Sequence, residues 1–513
     1  MPSESPALPS YTRLDGSAPP SQRTHARPPP AKLAWHAHAV ALLRRPAVFL
    51  PAIAFGLLVA FVSHPALPRA DVVQFDADGE YRGRLHNSFD RIASSWRHGN
   101  ERPVPERERE WACNPFEANG RLGVDTANPR NTVWTPFDSR CPPSNLLKAL
   151  YRPPGDTDPL IPDQSRDGAP AKSGREYLPW FRNRTIVLNG DSIDRFHLKD
   201  FCEFVGGRLE LISLTHPACP PMYRVPGADK EQREWEDKWA NRPDDGQALT
   251  QPWVCDIAEY GTTLVNVFTW GLEGAEEFFR TERWYNPPAR WSDRVDEITV
   301  PLLPLLAKHL DRPQIEHPDL IVVNSGYWDL RKYTEEDFVA AGYLHRPYPE
   351  DSPIPYTPLS LAREQTWERE ARVALKHIAR TFKSKEGKAR DGPTLLWRTL
   401  HHPPRHNYAP FPRVFQLDSL ARKVLSDLQH SQDPLPASSS SSSAPPLSNL
   451  VEPDEEEDLG LAHRLRVDES GRILLGQEHL FRDLLHPLPV PGSWIWGDVM
   501  LYELKRAVAG VDR

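Results

Sequence analysis

The chain has few cysteines and no excess of basic charge. Its five Cys in 513 residues are too few for a disulfide scaffold, and no CxxC pair indicates a structural zinc site. The 62 Lys and Arg stand against 70 Asp and Glu, which gives a net charge of −8. Because no basic stripe is present either, nucleic-acid binding through phosphate neutralisation is not expected.

Proline is abundant, and the apolar content is sufficient for a large core. The 55 Pro and 28 Gly together stay below the proportion that marks a disordered chain. Hydrophobic residues make up 39% of the chain and include 16 Trp. The length alone predicts two to four domains, or one large domain with additional segments.

One uncharged segment lies near the N-terminus. Residues 46–68 contain no Asp, Glu, Lys or Arg, and as a helix they would reach about 34 Å, enough to cross the hydrocarbon core. Basic residues precede the segment, whereas only Arg69 follows it closely, so the rest of the chain is predicted to cross the membrane. Because the 45 preceding residues are too many for a signal peptide, we expect a single-pass type II anchor.

The remaining sequence divides by composition. Residues 1–45 are predicted to be a disordered cytosolic tail, residues 69–110 a stem, and residues 111–513 a lumenal domain. This domain is interrupted at 431–458 by a low-complexity insertion that contains six consecutive serines. All five Cys would lie in the lumen, an oxidising compartment in which disulfides persist.

Short apolar runs alternate with helical stretches in the lumenal part. Strands are predicted at 185–189, 209–214, 263–268, 320–324 and 394–397, and helices at 193–205, 300–310, 362–382, 414–428 and 494–508. Continuous apolar strands between helices are typical of a parallel sheet covered on both faces. We therefore expect an α/β fold, a three-layer α/β/α sandwich with a mainly parallel sheet.

The first predicted strand leads directly into Gly190-Asp191-Ser192 and a helix. In an α/β sheet, this strand-to-helix turn is where catalytic groups collect. A serine there has an exposed Oγ, and the helix N-terminal amides can stabilise the oxyanion formed when it attacks an ester. The alternative is an Asp/Ser helix cap without a chemical role.

Two later motifs carry the groups that such a serine requires. Asp483 and His486 share a proline-bounded loop, and their spacing lets Asp483 bond Nδ1 while Nε2 faces the serine. Asn324 ends an apolar strand and could donate to the oxyanion, although an ordinary Asn-Ser-Gly turn is an equal alternative. Tyr327 and Trp328 follow it and are candidates for stacking on a sugar ring.

The order of these motifs resembles a known family. Gly190-Asp191-Ser192, then Asn324-x-Gly326-x-Trp328, then Asp483-x-x-His486 followed by prolines and a Trp is similar to the PC-esterase domain of the trichome-birefringence-like family. That family belongs to the SGNH (GDSL-type) hydrolase clan. Further matches are Trp111-Ala112-Cys113-Asn114 and Trp397-Arg398-Thr399, and the resemblance spans residues 111–507 without the insertion.

The resemblance implies roles for individual residues. Ser192 would be the nucleophile, His486 the general base and Asp483 its orienting carboxylate. Arg195, Asn324 and Gly271 would form the oxyanion hole. Cys113–Cys141 is the expected first disulfide, with one of the other three Cys left unpaired.

The resemblance also implies an activity and a location. Members are often single-pass Golgi proteins that O-acetylate polysaccharides, so an acyl donor and a glycan or polysaccharide acceptor are the expected partners, with no metal and no cofactor besides the donor. The expected location is the Golgi (or ER) membrane. The alternatives are an esterase with the same site, a non-catalytic glycan-binding protein, and a DxD glycosyltransferase of the same membrane topology.

Other motifs carry weaker expectations. His401, His402 and His406 lack a Cys or carboxylate at ligand spacing and are predicted to form an exposed loop. Asp76-Ala77-Asp78 and Asp156-Thr157-Asp158 are similar to the DxD of metal-dependent glycosyltransferases but lie in polar stretches. Asn183-Arg184-Thr185 is a glycosylation sequon that abuts a strand expected to be buried, which leaves its use open.

Overall fold

A computed structural model describes residues 113–157, 174–430 and 459–509. Gaps remain at 214–215, 225–249, 273–275, 280–284, 286, 345–347, 350–351, 385, 389–390 and 405–407. The predicted tail, anchor, stem and serine-rich insertion (431–458) lie outside the described residues. Within the described ranges, no helix has the length and apolar character needed to cross a bilayer.

The strands form one small hairpin and one large sheet. The hairpin consists of β1 (Gly120–Gly123) and β2 (Val133–Pro136), which pair antiparallel. The large sheet consists of β3 (Thr185–Gly190), β4 (Arg208–Leu211), β5 (Trp253–Ile257), β6 (Thr262–Phe268), β7 (Leu320–Val323), β8 (Thr394–Arg398) and β9 (Leu465–Asp468).

The large sheet is mostly parallel, in the spatial order β4-β5-β6-β3-β7-β8-β9. Strands β6, β3, β7, β8 and β9 run parallel to one another, whereas β5 runs antiparallel to both β4 and β6. The predicted α/β class with a mainly parallel sheet is confirmed. Strand β5 was not predicted, and it pairs with β6 through the tight turn at 258–261.

Helices connect the strands. They are α1 (Leu146–Leu150), α2 (Ser192–Val205), α3 (Glu276–Phe279), α4 (Trp291–Arg294), α5 (Val300–Leu310), α6 (Tyr327–Ala340), α7 (Leu361–Thr381), α8 (Phe411–His430), α9 (Leu461–Arg464), α10 (Ser470–Ile473) and α11 (Trp494–Ala509). The predicted helices correspond to α2, α5, α7, α8 and α11.

Two hydrophobic cores lie on opposite faces of the sheet. Side chains alternate along a strand, so Val187 of β3 joins the core formed with α5, α6, α7 and α8. Ile186 and Leu188 join the other core, formed with α1, α2 and α11. Helices therefore cover both faces, and every residue of the central strand β3 is buried.

Two disulfides link parts of this fold. Cys113 bonds Cys141, which confirms the predicted pair. Cys202 of α2 bonds Cys255 of β5, and Cys219 is a buried free thiol. The second disulfide therefore joins the helix that begins at Ser192 to the antiparallel edge of the sheet.

Removal of this second disulfide should destabilise the protein. Replacing both Cys202 and Cys255 with Ala is expected to lower the free energy of unfolding by about 2–4 kcal/mol, because a cross-link across a long loop restricts the unfolded chain. Its two cysteines are 53 residues apart. Urea unfolding of the oxidised proteins measures the loss, with Cys219→Ala as a control that leaves both bridges. An unchanged midpoint in the double variant would contradict this expectation.

Candidate active site

The turn between β3 and α2 leaves the Ser192 hydroxyl free of the helix cap. The Asp191 carboxylate accepts a hydrogen bond from the Ile193 N–H at 2.9 Å and caps α2. Ser192 is the first residue of the helix, where amides lack intrahelical acceptors. The cap considered from the sequence is thus present, but Asp191 makes it alone.

Ser192, His486 and Asp483 meet in one line of hydrogen bonds. His486 Nε2 lies 2.8 Å from Ser192 Oγ, and its Nδ1 lies 2.8 Å from Asp483 Oδ2. The serine follows the carboxyl end of β3, whereas the other two residues lie in the loop before α11, with His486 294 positions after the serine. The structure therefore brings these three predicted side chains together in the expected order.

The loop at 481–488 holds Asp483 and His486 in register. Asp483 Oδ1 accepts hydrogen bonds from the backbone N–H groups of Leu485 and His486, at 2.7 and 2.8 Å. Phe481 and Pro487 form an antiparallel bridge across the loop. The carboxylate therefore orders the turn that presents His486, in addition to bonding its ring.

A second set of contacts fixes this loop to α2. Arg482 donates from Nη2 to Asp200 Oδ2 at 2.6 Å, and Ser493 Oγ donates to the same oxygen at 2.7 Å. The Arg482 guanidinium lies over the Phe196 ring at 4.3 Å, and the Phe196 ring meets the His486 ring edge-on at 4.8 Å. The base and the nucleophile are thus positioned by the same helix.

His401 corrects one expectation from the sequence. It was predicted in an exposed loop, but its side chain is buried, and its Nε2–H donates to the carbonyl oxygen of Leu485 at 2.7 Å. Burial lowers the pKa of His401 to about 3, so the ring is a neutral donor. It therefore supports the residue directly before His486. Its position shortly after the carboxyl end of β8 is the signal in the sequence that indicates this role.

The other two histidines of this motif lie apart from that contact. The ring centroids of His402 and Phe411 are 4.2 Å apart, and His406 lies outside the described residues.

Tyr327 and Trp328 differ from each other in exposure. Tyr327 is 5% exposed, and its hydroxyl donates to the carbonyl oxygen of His401 at 2.5 Å. Because this ring is buried, it presents little surface to a sugar, and the stacking role of Tyr327 stays a prediction. Trp328 is half-buried among Phe268, Trp270 and Phe279, and it keeps a partly accessible ring.

The three predicted oxyanion residues lie at the carboxyl edge of the sheet. Arg195 lies one turn after Ser192, with its guanidinium over Phe196 at 5.1 Å and Trp253 at 5.8 Å. Asn324 is buried, and its Nδ2 donates to the carbonyl oxygen of Arg398 at 2.8 Å. No hydrogen bond joins Asn324 to Ser192 within the described part of the chain.

Gly271 follows β6 and occupies a position that requires glycine. Its φ of +102° favours glycine, and a Cβ there would lie 2.7 Å from Asp329 Oδ1. The same carboxylate oxygen accepts a hydrogen bond from the Leu272 N–H at 2.9 Å. The Gly271 N–H makes no hydrogen bond to the residues that the structure describes.

The electrostatic environment keeps His486 neutral. Burial lowers the pKa of His486 below its usual value, and the positive charges of Arg195 and Arg482 act in the same direction against the Asp483 carboxylate. Burial raises the pKa of Asp483, but the hydrogen bonds and charge of His486 and the Leu485 N–H together outweigh this, and the pKa is held well below the usual range. An ionised carboxylate beside a neutral imidazole is the state that a general base needs.

This environment predicts the pH dependence of turnover. If Ser192 is the nucleophile of an enzyme, the neutral form of His486 is the active one, and kcat/KM should fall as pH drops through the lowered pKa of His486. The midpoint of the acid limb is expected below 6.5, the ordinary value for histidine. A profile measured from about pH 4 to 8 locates it. A midpoint above 6.5 would show that the burial effect does not dominate.

A variant of the carboxylate tests the same environment. Asp483→Asn should move the midpoint of the acid limb to a lower pH, since the carboxylate raises the pKa of His486.

A buried charge cluster lies beneath the serine and was not predicted. Arg398 at the end of β8 forms two hydrogen bonds to Asp194, at 2.7 and 2.8 Å, and lies 3.6 Å from Asp191. Burial raises the pKa of Asp191 to about 6 and that of Asp468 to about 7. Gly190 permits this packing, because a Cβ there would lie 1.9 Å from Asp194 Oδ2.

One group of described residues has metal-ligating atoms close together, at the far edge of the sheet. Glu210 Oε2 on β4 lies 3.4 Å from His216 Nε2 and 3.6 Å from His309 Nε2. The Ala218 N–H donates to His216 Nδ1 at 3.0 Å, so the ring proton of neutral His216 is on Nε2. The other Glu210 oxygen pairs with Arg208 at 2.9 Å. These contacts fit an ion-pair cluster better than a metal centre.

The chemical capacity of the site is therefore that of an activated serine. Ser192 has a neutral imidazole at hydrogen-bond distance, that imidazole has an ionised carboxylate, and the serine lies at a helix N-terminus. Comparison with known proteins finds no matching family model, no matching curated protein and no matching solved structure.

Proposed function

We propose that the protein is an SGNH-type serine O-acyltransferase whose acceptor is a hydroxyl group of a glycan or polysaccharide. The proposed acyl group is acetyl. The observation that carries this proposal is the continuous hydrogen-bonded line from Ser192 through His486 to Asp483. Its order and spacing match the requirements of a nucleophile, a general base and an orienting carboxylate.

The proposed reaction has two halves. Ser192 Oγ attacks the carbonyl carbon of the acyl donor, His486 Nε2 takes the hydroxyl proton, and the same proton passes to the leaving group. A glycan hydroxyl then attacks the acyl-enzyme, with His486 taking its proton and returning it to Ser192. Asp483 accepts the hydrogen bond from the Nδ1–H of His486 throughout and stabilises the transient imidazolium.

The oxyanion of each half-reaction requires donors beside Ser192. The N-terminal end of α2, which begins at Ser192, supplies one source of positive potential. The proposed additions are the Arg195 charge and the Gly271 N–H, which has no acceptor among the residues that the structure describes. Asn324 Nδ2 already uses one hydrogen on Arg398, and its second hydrogen is the proposed donor.

The finer fold and the location belong to the same proposal. We place the domain in the SGNH-like three-layer class, since helices cover both faces of a mainly parallel sheet. We further propose a type II single-pass protein of the Golgi or ER membrane with the domain in the lumen and no cofactor besides the acyl donor. Two disulfides in the described chain favour an oxidising compartment.

The other candidate activities are less well supported. A non-catalytic protein would not require Ser192, His486 and Asp483 to meet, and they lie at hydrogen-bond distance. For a DxD glycosyltransferase, Asp76-Ala77-Asp78 and Asp158 fall outside the described residues. An esterase would use the same three residues with water as the acceptor, so the assay must separate transfer from hydrolysis.

The proposal is tested with the full-length chain in detergent. The protein is incubated with labelled acetyl donors and a panel of glycans, and both labelled glycan and free acetate are quantified. Mass spectrometry of the peptide that contains Ser192 identifies an acyl-enzyme, which should accumulate without an acceptor. Release of acetate alone would assign an esterase. Absence of label from Ser192, with every donor, would overturn the serine mechanism.

A further inference from the structure

The sequence contains one Asn-x-Ser/Thr sequon, at Asn183-Arg184-Thr185. The structure places Asn183 in the turn that leads into β3, with its side chain exposed. Thr185, the first residue of that strand, is fully buried. The two ends of the sequon therefore lie in different environments, and the end that would carry a glycan is the accessible one.

The second observation concerns the backbone and the side-chain amide of Asn183. Its backbone N–H donates to the Tyr260 carbonyl oxygen at 2.9 Å, and its φ is +56°. The Oδ1 atom faces Gly261, where an added Cβ would lie 2.6 Å from it. The Nδ2 atom has no hydrogen-bond partner among the described residues. The left-handed backbone alone favours Asn or Gly, so the experiment must separate this conformational role from modification.

The burial of Thr185 does not prevent modification during synthesis. Its strand β3 is flanked by β6 and β7, and both of them follow β3 in the chain. Thr185 pairs with Thr263, and its hydroxyl bonds the carbonyl oxygen of Gln314. Since a growing chain emerges from its N-terminus onwards, the sequon enters the lumen before either partner strand does. Thr185 is therefore accessible at that stage.

We propose that Asn183 carries an N-linked glycan. The Nδ2 atom forms a bond to the anomeric carbon of a lipid-linked diphosphate oligosaccharide, and the bond between that carbon and the diphosphate oxygen breaks. The lipid diphosphate leaves, and the Nδ2 proton passes to a base of the host oligosaccharyltransferase. This inference rests on the lumenal location proposed above, but not on the acyl-transfer chemistry.

The position of Asn183 keeps a glycan away from the candidate active site. Asn183 precedes the amino end of β3, whereas Ser192 follows its carboxyl end. Six strand residues span about 20 Å, so the two positions lie at opposite ends of β3. Removal of the glycan from the folded protein is therefore expected to leave the rate of acyl transfer unchanged.

The experiment uses the full-length chain expressed in a glycosylating eukaryotic host. Wild type, Asn183→Gly and Thr185→Ser are compared before and after treatment with peptide N-glycosidase. Glycine accepts the positive φ at position 183, so that variant removes the acceptor without straining the turn. Serine preserves the sequon. Ala437→Asn creates a new sequon with Ser438 and Ser439 in the serine-rich insertion and reports lumenal access separately.

The expected result is a mobility shift of one glycan in wild type and Thr185→Ser, with none in Asn183→Gly. Mass spectrometry of the treated wild type should find Asp at position 183. If only Ala437→Asn is shifted, the domain is lumenal and the Asn183 proposal is wrong. If no protein is shifted, the lumenal location and the Asn183 proposal are both wrong. A glycosylated protein without acyl transfer would refute the proposed function alone.

Discussion

Replacing Ser192 with alanine is expected to lower the rate of acyl transfer by about 10⁴-fold or more. Among the described residues, the Ser192 hydroxyl makes a single hydrogen bond, to His486 Nε2, and it does not take part in the helix cap, which Asp191 forms. Its loss should therefore remove the nucleophile and leave the fold unchanged. Labelled product formation measures the rate, and circular dichroism with thermal unfolding measures the fold.

A second serine at a helix N-terminus provides the matched control. Ser360 caps α7 by accepting a hydrogen bond from the Arg363 N–H at 3.4 Å, away from the candidate site. Ser360→Ala should lower stability by about 1 kcal/mol and leave the rate of transfer unchanged. Turnover retained in Ser192→Ala would refute the assignment of the nucleophile, whatever the result for Ser360→Ala.

The strands that the sequence predicts are those with continuous apolar runs. β3, β6 and β7 lie at the centre of the sheet and are buried on both faces, so their composition alone identifies them. β5 and β9 were missed because they carry charge. Asp256 of β5 pairs with Arg312, and Arg466 of β9 faces Glu503. Tertiary ion pairs make these strands compatible with burial, and a local pattern does not reveal them.

Helix α6 was missed for a related physical reason. Its buried face includes Asp329, Thr334 and Glu335 among the apolar side chains, so polar residues interrupt the apolar stripe that identifies an amphipathic segment. Asp329 bonds Ser325 and the Leu272 N–H, and Glu335 pairs with Arg331. Thr334 donates to the carbonyl oxygen of Tyr408 and accepts from Arg413 of α8. Helicity therefore depends on packing that appears only in the folded chain.

In the candidate site, too, local motifs were predicted and contacts that depend on tertiary packing were not. The Ser192, Asp483 and His486 motifs were found because each is local and lies beside a strand or helix end. The orientation of the Tyr327 ring and the burial of His401 depend on a contact between α6 and the loop after β8. The Asp194–Arg398 pair joins residues 204 positions apart, and neither residue signals the other in the sequence.

That pair leads to the largest expected effect on stability. Replacing Arg398 with Met is expected to lower the free energy of unfolding by about 3–5 kcal/mol at neutral pH, because it leaves buried carboxylates without their cation. Arg398 is 1% exposed and makes both of its strong bonds to Asp194. Urea unfolding of full-length protein in detergent measures the loss. Arg140→Met removes a fully exposed ion pair with Asp138 and should leave the midpoint unchanged.

The pH dependence of this loss separates a charge effect from a packing effect. The raised pKa values of Asp191, about 6, and Asp468, about 7, exceed the ordinary value of 3.8, so both bind protons more tightly in the folded state. Their contribution to stability is present below pH 3.8 and is lost as pH rises through 6 to 7. The charge of Arg398 lowers both pKa values, so Arg398→Met should be most destabilising near neutral pH and less so in acid.

A double variant tests the same point. Adding Asp194→Asn to Arg398→Met should recover part of the lost stability, since one uncompensated charge is removed. A deficit equal at all pH values, with no recovery in the double variant, would show that Arg398 acts through its packing and not through its charge.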